Sequence, residues 1–194
     1  TSRCTSPRMQ PPMLAPPPSA PLPPIFLYGL GRPLLVLHAL CALSLCGTSV
    51  HQAVYALRLF TRPFAAVRLT KCRLFSRLVL LSYLAVVGLG GLLYPRYRYF
   101  VRGLYLDRYA PWASNLFDFK ENLATVGLPF AVAAFFLART LYQQPALLTA
   151  EGDSQDGRLG RRLVALYACF AVATAVVVGF NSVAGLLVAS VRGI

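Results

Sequence analysis

Four long apolar stretches constrain this chain more than any other feature of its sequence. A helix needs about 20 predominantly apolar residues to cross the hydrocarbon core of a bilayer, where it satisfies its own backbone hydrogen bonds. The stretches therefore predict an all-α fold, a polytopic membrane protein built as a four-helix transmembrane bundle. The predicted spans are Pro33–Leu57, Leu78–Tyr94, Asn122–Tyr142 and Leu163–Val191.

The composition and charge of the chain agree with a membrane location. Hydrophobic residues make up 57% and charged residues 13%, whereas a soluble domain carries about 25% charged residues. The formal net charge is +13, and many basic residues flank the apolar stretches, where such residues set topology and contact lipid phosphates. We expect membrane lipids, including bound phospholipid, as partners and no nucleic acid. The basic loop 58–77 favours the cytoplasmic or matrix side.

The first 24 residues form a separate region that is rich in proline. They contain nine of the fifteen prolines, a composition that favours an extended arm without internal hydrogen bonds. Such an arm becomes ordered when something holds it, so we expect it to dock along another subunit. The sequence thus divides into a Pro-rich N-terminal arm, 1–24, and a four-span transmembrane domain, 25–194.

Polar residues lie inside the apolar stretches and are expected between helices. On the first span His38, Ser49 and Gln52 fall on one side, together with further polar side chains, at 100° per residue. A polar stripe on a membrane helix faces protein or a wet cavity rather than lipid, and hydrogen bonding between helices is its simplest role. The residues predicted to be buried and polar are Gln52, Glu121 and Asn181.

The segment 94–119 is dense in aromatic and arginine residues. Tyr and Trp favour the headgroup layer of a membrane, where one end of the side chain is apolar and the other is wet. We expect short helix and turn, broken at Pro95 and Pro111, with Asp118 as a candidate N-cap of the third span. The candidate interface and lipid-binding residues are Arg96, Arg98, Arg102, Tyr105 and Trp112.

Two histidines are the candidate cofactor-binding residues. His38 and His51 lie thirteen residues apart on one predicted helix, which is about 20 Å of rise, so they cannot hold one iron together. A b-type haem would use one of them, with a second ligand from another chain. No metal site is expected, since the five cysteines form no CxxC pair and the acidic third loop lacks the pattern of a calcium loop.

The sequence has many residues suited to contacts with helices, subunits and lipid, and few that are typical of catalysis. The motifs GxSxG and HExxH and a phosphate-binding glycine loop do not occur, so we do not expect an enzyme. We expect a non-catalytic accessory subunit of a multi-subunit, energy-transducing complex of the respiratory type, in the bacterial or mitochondrial inner membrane. Two alternatives stay open: a small b-type haem or quinone-side electron-transfer protein, and a small proton or solute carrier that uses Glu121.

Overall fold

The computed structural model describes residues 27–61, 66–150 and 154–191. The predicted arm, residues 1–24, lies outside these ranges. The elements in chain order are a short 3-10 turn (Tyr28–Leu30), α1 (Gly31–Thr61), α2 (Ala66–Arg96), a π-helical segment (Tyr97–Leu106), α3 (Asp107–Tyr109), α4 (Pro111–Gln143), α5 (Ala146–Thr149) and α6 (Gln155–Val191).

Four helices are long and apolar enough to cross a membrane. They are α1, α2 with its continuation to Tyr109, α4 and α6. Each packs on the next one along the chain, and α6 closes the bundle by packing on α1. The prediction of an all-α, four-helix membrane fold is therefore confirmed, and the protein is a polytopic membrane protein.

Each membrane helix begins earlier or ends later than the apolar stretch that predicted it. The second begins before Leu78 and continues beyond Tyr94, and α6 begins well before Leu163. A helix need not end where the hydrocarbon ends, because its backbone hydrogen bonds are internal and its arginines can extend to the headgroups. Hydropathy therefore locates the spans but not the ends of the helices.

The segment between the second and third spans is a helical hairpin. Pro95, which we expected to break the helix, lies inside α2, and the chain continues as a π-helix from Tyr97. Proline removes one α-helical hydrogen bond because it has no N–H. At the end of the π-helical segment the Asp107 N–H reaches the Arg102 carbonyl, five residues back. Pro111 does begin a helix, at the first turn of α4, where a missing N–H costs little.

Small residues form the core where α4 meets α6. They let the two backbones approach closely, which is the main source of attraction between helices in lipid. Gly127 of α4 lies against Tyr83 of α2 and Val177 of α6, where an added Cβ would overlap both side chains. The buried alanines of this core are Ala131, Ala134, Ala138, Ala168 and Ala171.

The outside of the bundle carries large apolar side chains. Leu43, Leu81 and Leu186 are each exposed over more than 60% of their surface. In water an apolar surface of this extent would be an aggregation hazard, whereas in a bilayer it contacts lipid tails or other membrane helices. The surface of the bundle is therefore more apolar than that of a soluble bundle, and a few polar side chains, Gln52 and Ser76 among them, are buried inside.

Candidate functional site

The hairpin, residues 94–119, is held together by aromatic stacking. The Tyr97 and Phe117 rings are stacked with their centroids 3.9 Å apart, and Tyr94 stacks on the same phenylalanine at 6.5 Å. Leu106 and Ala113 are fully buried beside them. These contacts fix the first turns of α4 against the π-helical segment, so the hairpin is a packed unit of the fold.

One arginine joins the two arms of the hairpin. Arg102 donates from both terminal nitrogens to the Asp118 carboxylate, at 2.7 and 2.9 Å, which is the strong bidentate geometry. Its Nε lies 3.6 Å from Asp107, and the Asp107 carboxylate accepts a hydrogen bond from Ser114 at 2.6 Å. The N-cap prediction for Asp118 was wrong, because α4 begins earlier, at Pro111, and this carboxylate binds the arginine instead.

The other predicted interface residues differ in their surroundings. Arg96 packs over Gly31 at the start of α1, so closely that a Cβ on the glycine would overlap the guanidinium. Tyr105 is half-buried, and its ring lies 5.2 Å from that of Tyr109. Arg98 and Trp112 are exposed. The exposed aromatic side chains of the hairpin, which we call the aromatic surface, are Tyr99, Tyr109, Trp112 and Phe119.

A buried hydrogen-bond network joins α1, α2 and α6. Gln52 donates from Nε2 to Ser76 Oγ at 3.0 Å, and Ser76 Oγ lies 3.2 Å from the Tyr167 hydroxyl oxygen. The Tyr167 hydroxyl also reaches the Cys72 backbone carbonyl, at 3.4 Å. Gln52 lies between helices, where we expected it. Ser76 and Tyr167 were missed, although a hydroxyl inside an apolar stretch is a signal, since it must find a partner there.

The other two residues expected to be buried lie in different settings. Glu121 is exposed, and its carboxylate accepts a hydrogen bond from Lys120 at 2.8 Å. The expectation of burial was wrong because this position on α4 points out of the bundle. Asn181 is half-buried and donates to the Val177 carbonyl of its own helix, at 2.9 Å. It therefore does not bridge two helices as we expected.

The two histidines are held in different ways. His38 Nδ1 is buried, has no hydrogen-bond partner in the described part of the chain and lies beside Gly90. Haem ligation by His38 stays a prediction. His51 is exposed on α1, and its Nδ1 lies 2.8 Å from the Gly47 carbonyl oxygen.

Neither a metal-ligand cluster within the described residues nor a similar protein indicates the function of the chain. Within residues 27–61, 66–150 and 154–191, no three His, Cys, Asp or Glu side chains lie together as a metal site. Glu151 and Asp153 of the acidic third loop lie outside the described residues. Comparison with protein-family models, with curated proteins and with solved structures finds no match for the chain. Its function must be argued from its own surfaces.

Proposed function

We propose that the protein is a non-catalytic accessory subunit of a multi-subunit, energy-transducing membrane complex of the respiratory type. Its bundle would pack against core subunits and lipid in a bacterial or mitochondrial inner membrane. The observation that carries this proposal is the aromatic surface, in which Trp112 and Tyr109 are exposed over more than half of their area on a hairpin that is fixed from inside.

The build of the hairpin supports a role in contact with other molecules. Tyr, Trp and Arg are the residue types most enriched at the energetically important positions of protein interfaces. A surface held by stacking and by the Arg102–Asp118 pair loses little conformational entropy on binding, and such preorganisation favours affinity. Arg98, exposed beside these aromatic residues, has the chemistry to bind a phospholipid phosphate at the same level.

The polar groups inside the bundle fit the same proposal. Gln52, Ser76 and Tyr167 bond to one another across three helices, which stabilises the packing of the bundle. Glu121 is occupied by Lys120 at the surface. These groups bond to other groups of the same chain, as expected of a subunit with a structural role.

The proposal is tested by the size of the particle that contains the protein. After mild detergent extraction of native membranes, we expect the tagged chain to migrate on native gels within a complex far larger than its own 21.1 kDa. Cells without the chain should lose the assembled complex and part of their oxygen uptake. A chain that runs alone, with oxygen uptake unchanged in its absence, would contradict the proposal.

Two variants separate the aromatic surface from general damage to the bundle. Trp112→Ala should release part of the chain from the complex, because truncating one central aromatic residue weakens an interface by about 2 kcal/mol or more. Phe136→Ala is the matched control, since Phe136 is equally exposed on the same helix but lies outside the hairpin. It should leave assembly unchanged.

A further inference from the structure

The outward side of α1 carries a regular seam. Its six residues are all exposed and follow one another in alternating steps of three and four: Leu40, Leu43, Gly47, Val50, Val54 and Leu57. A repeat of 3.5 residues keeps one face of a helix turned towards a neighbouring helix in a left-handed pair. Left-handed crossing is also the commonest packing of membrane helices. The seam therefore has the periodicity of a helix-packing surface.

Gly47 makes a notch in the middle of the seam. A Cβ added at this position would meet no atom within 4 Å, so the glycine serves no packing contact within the described part of the chain. In membrane proteins a small residue on a helix face lets a second backbone come close. Leu43 and Val50, one turn to either side, are large and exposed, so they would flank the point of closest approach.

A histidine with a defined tautomer borders the notch. Since a carbonyl can only accept, the 2.8 Å contact with the Gly47 oxygen requires that His51 Nδ1 carry the hydrogen. In the neutral ring Nε2 is then an acceptor. The ring is also held in place by stacking on Phe75, with centroids 5.3 Å apart. Lipid tails have no donor to offer Nε2 of this exposed residue.

A second copy of the chain would not supply the missing donor. Its His51 would bring the same acceptor nitrogen, and the nearby Thr48 hydroxyl already donates to the Ser44 carbonyl at 2.7 Å. Two copies facing each other along the seam would therefore place acceptor against acceptor. The complementary surface is a different helix, with a hydrogen-bond donor at the level of His51.

We propose that the seam binds one transmembrane helix of a partner subunit, packed over Gly47, whose side chain donates a hydrogen bond to His51 Nε2. This inference rests on the proposed function and names the contact through which the subunit would be held in the membrane. Ser, Thr, Asn, Gln, Trp and Tyr have the required donor.

Substitution of the notch is the first test. Gly47→Leu fills the notch with a large side chain, and Gly179→Leu on α6 is the matched control, because an added Cβ meets nothing within 4 Å at either position. In native membranes we expect Gly47→Leu to lower the fraction of chain in the large complex at least fivefold and Gly179→Leu to leave it unchanged. Equal effects of the two variants, or no effect of either, would overturn the proposal.

Variants of the histidine test the hydrogen bond. His51→Phe keeps the ring stacked on Phe75 but removes the acceptor, and His51→Gln keeps an acceptor. We expect about three- to tenfold weaker association for the phenylalanine variant, as for the loss of one hydrogen bond between membrane helices, and recovery with glutamine. If the phenylalanine variant assembles as well as the wild type, the hydrogen bond to His51 does not exist.

Cross-linking identifies what occupies the seam. A benzophenone-bearing residue in place of Val50 should cross-link to a membrane segment of another protein that carries a donor residue, and in place of Val176 on α6 it should not. Adducts with a second copy of the chain, or with lipid alone, would overturn the proposal. If the large complex is present but its formation is insensitive to the seam, this inference fails while the proposed function stands.

Discussion

Substitution of Gly127 tests how closely the three helices α2, α4 and α6 meet. An alanine Cβ at this position would overlap the hydroxyl of Tyr83 and would lie 2.6 Å from Val177 Cγ1. Both neighbours are buried and are branched or aromatic, so moving either of them costs free energy. The Tyr83 hydroxyl also donates to the Ala124 carbonyl at 2.8 Å, and a shift of the ring would break this bond.

The expected change in the free energy of unfolding of Gly127→Ala is the sum of three contributions. Replacing glycine by alanine inside a helix gains about 1 kcal/mol. Overpacking of a filled core costs about 1–3 kcal/mol, and the lost hydrogen bond of Tyr83 costs about 1 kcal/mol. We therefore expect Gly127→Ala to lower the free energy of unfolding by about 1–3 kcal/mol.

Gly179→Ala is the control for this measurement, because it has the same change in propensity and open space around its Cβ. It should be as stable as the wild type or slightly more stable. Reversible unfolding in mixed micelles by added dodecyl sulfate, followed by circular dichroism, measures both variants. If Gly127→Ala is as stable as Gly179→Ala, the three helices are not packed as closely as described.

Three further predictions concern other contacts of the described residues. Gly160→Ala should lower the protection of residues 146–149 against hydrogen exchange. Its Cβ would overlap the Leu147 backbone carbonyl, so the short helix α5 must move away. Arg102→Lys should leave global stability within about 1 kcal/mol, since the ion pair is partly exposed, but should speed proteolysis of the hairpin, because an ammonium cannot replace the bidentate contact with Asp118. Asn181→Val should change the free energy of unfolding by less than about 0.5 kcal/mol, because the amide bonds within its own helix and not to a neighbour.

The sequence was sufficient to predict the four spans because their signal is local. About 20 apolar residues in a row leave a chain few alternatives to a membrane helix, and Gln52 could be placed between helices because its amide has no partner in lipid. The contact between Arg102 and Asp118 spans 16 positions, and that between Ser76 and Tyr167 spans 91. Which residues meet over such separations depends on how the helices dock, which no local pattern contains.

The errors of prediction also have local causes. Proline usually ends a helix, which is why a break is predicted at Pro95, but the helix continues through Pro95 and takes the π form from Tyr97. Once the helix runs through Pro95 to Tyr109 and α4 begins at Pro111, Asp118 and Glu121 lie inside a helix instead of at its start. The wrong N-cap therefore follows from the early start of α4 at Pro111.

If the seam binds a partner as proposed, two adjacent residues of α1 have separate roles in folding and in association. Gln52 is fully buried and binds Ser76, whereas His51 lies 100° further round the helix on the exposed side beside the seam. Gln52→Leu should therefore lower the free energy of unfolding by about 1 kcal/mol, the usual size of a hydrogen bond between membrane helices. It should leave the proposed partner contact intact. His51→Phe should do the reverse, keeping the wild-type unfolding curve while weakening assembly. Unfolding in micelles and native gels, applied to both variants, measure the two effects independently. If both variants lose stability and assembly together, the two sides of α1 do not act separately, and the outward seam is part of the same packing as the buried network.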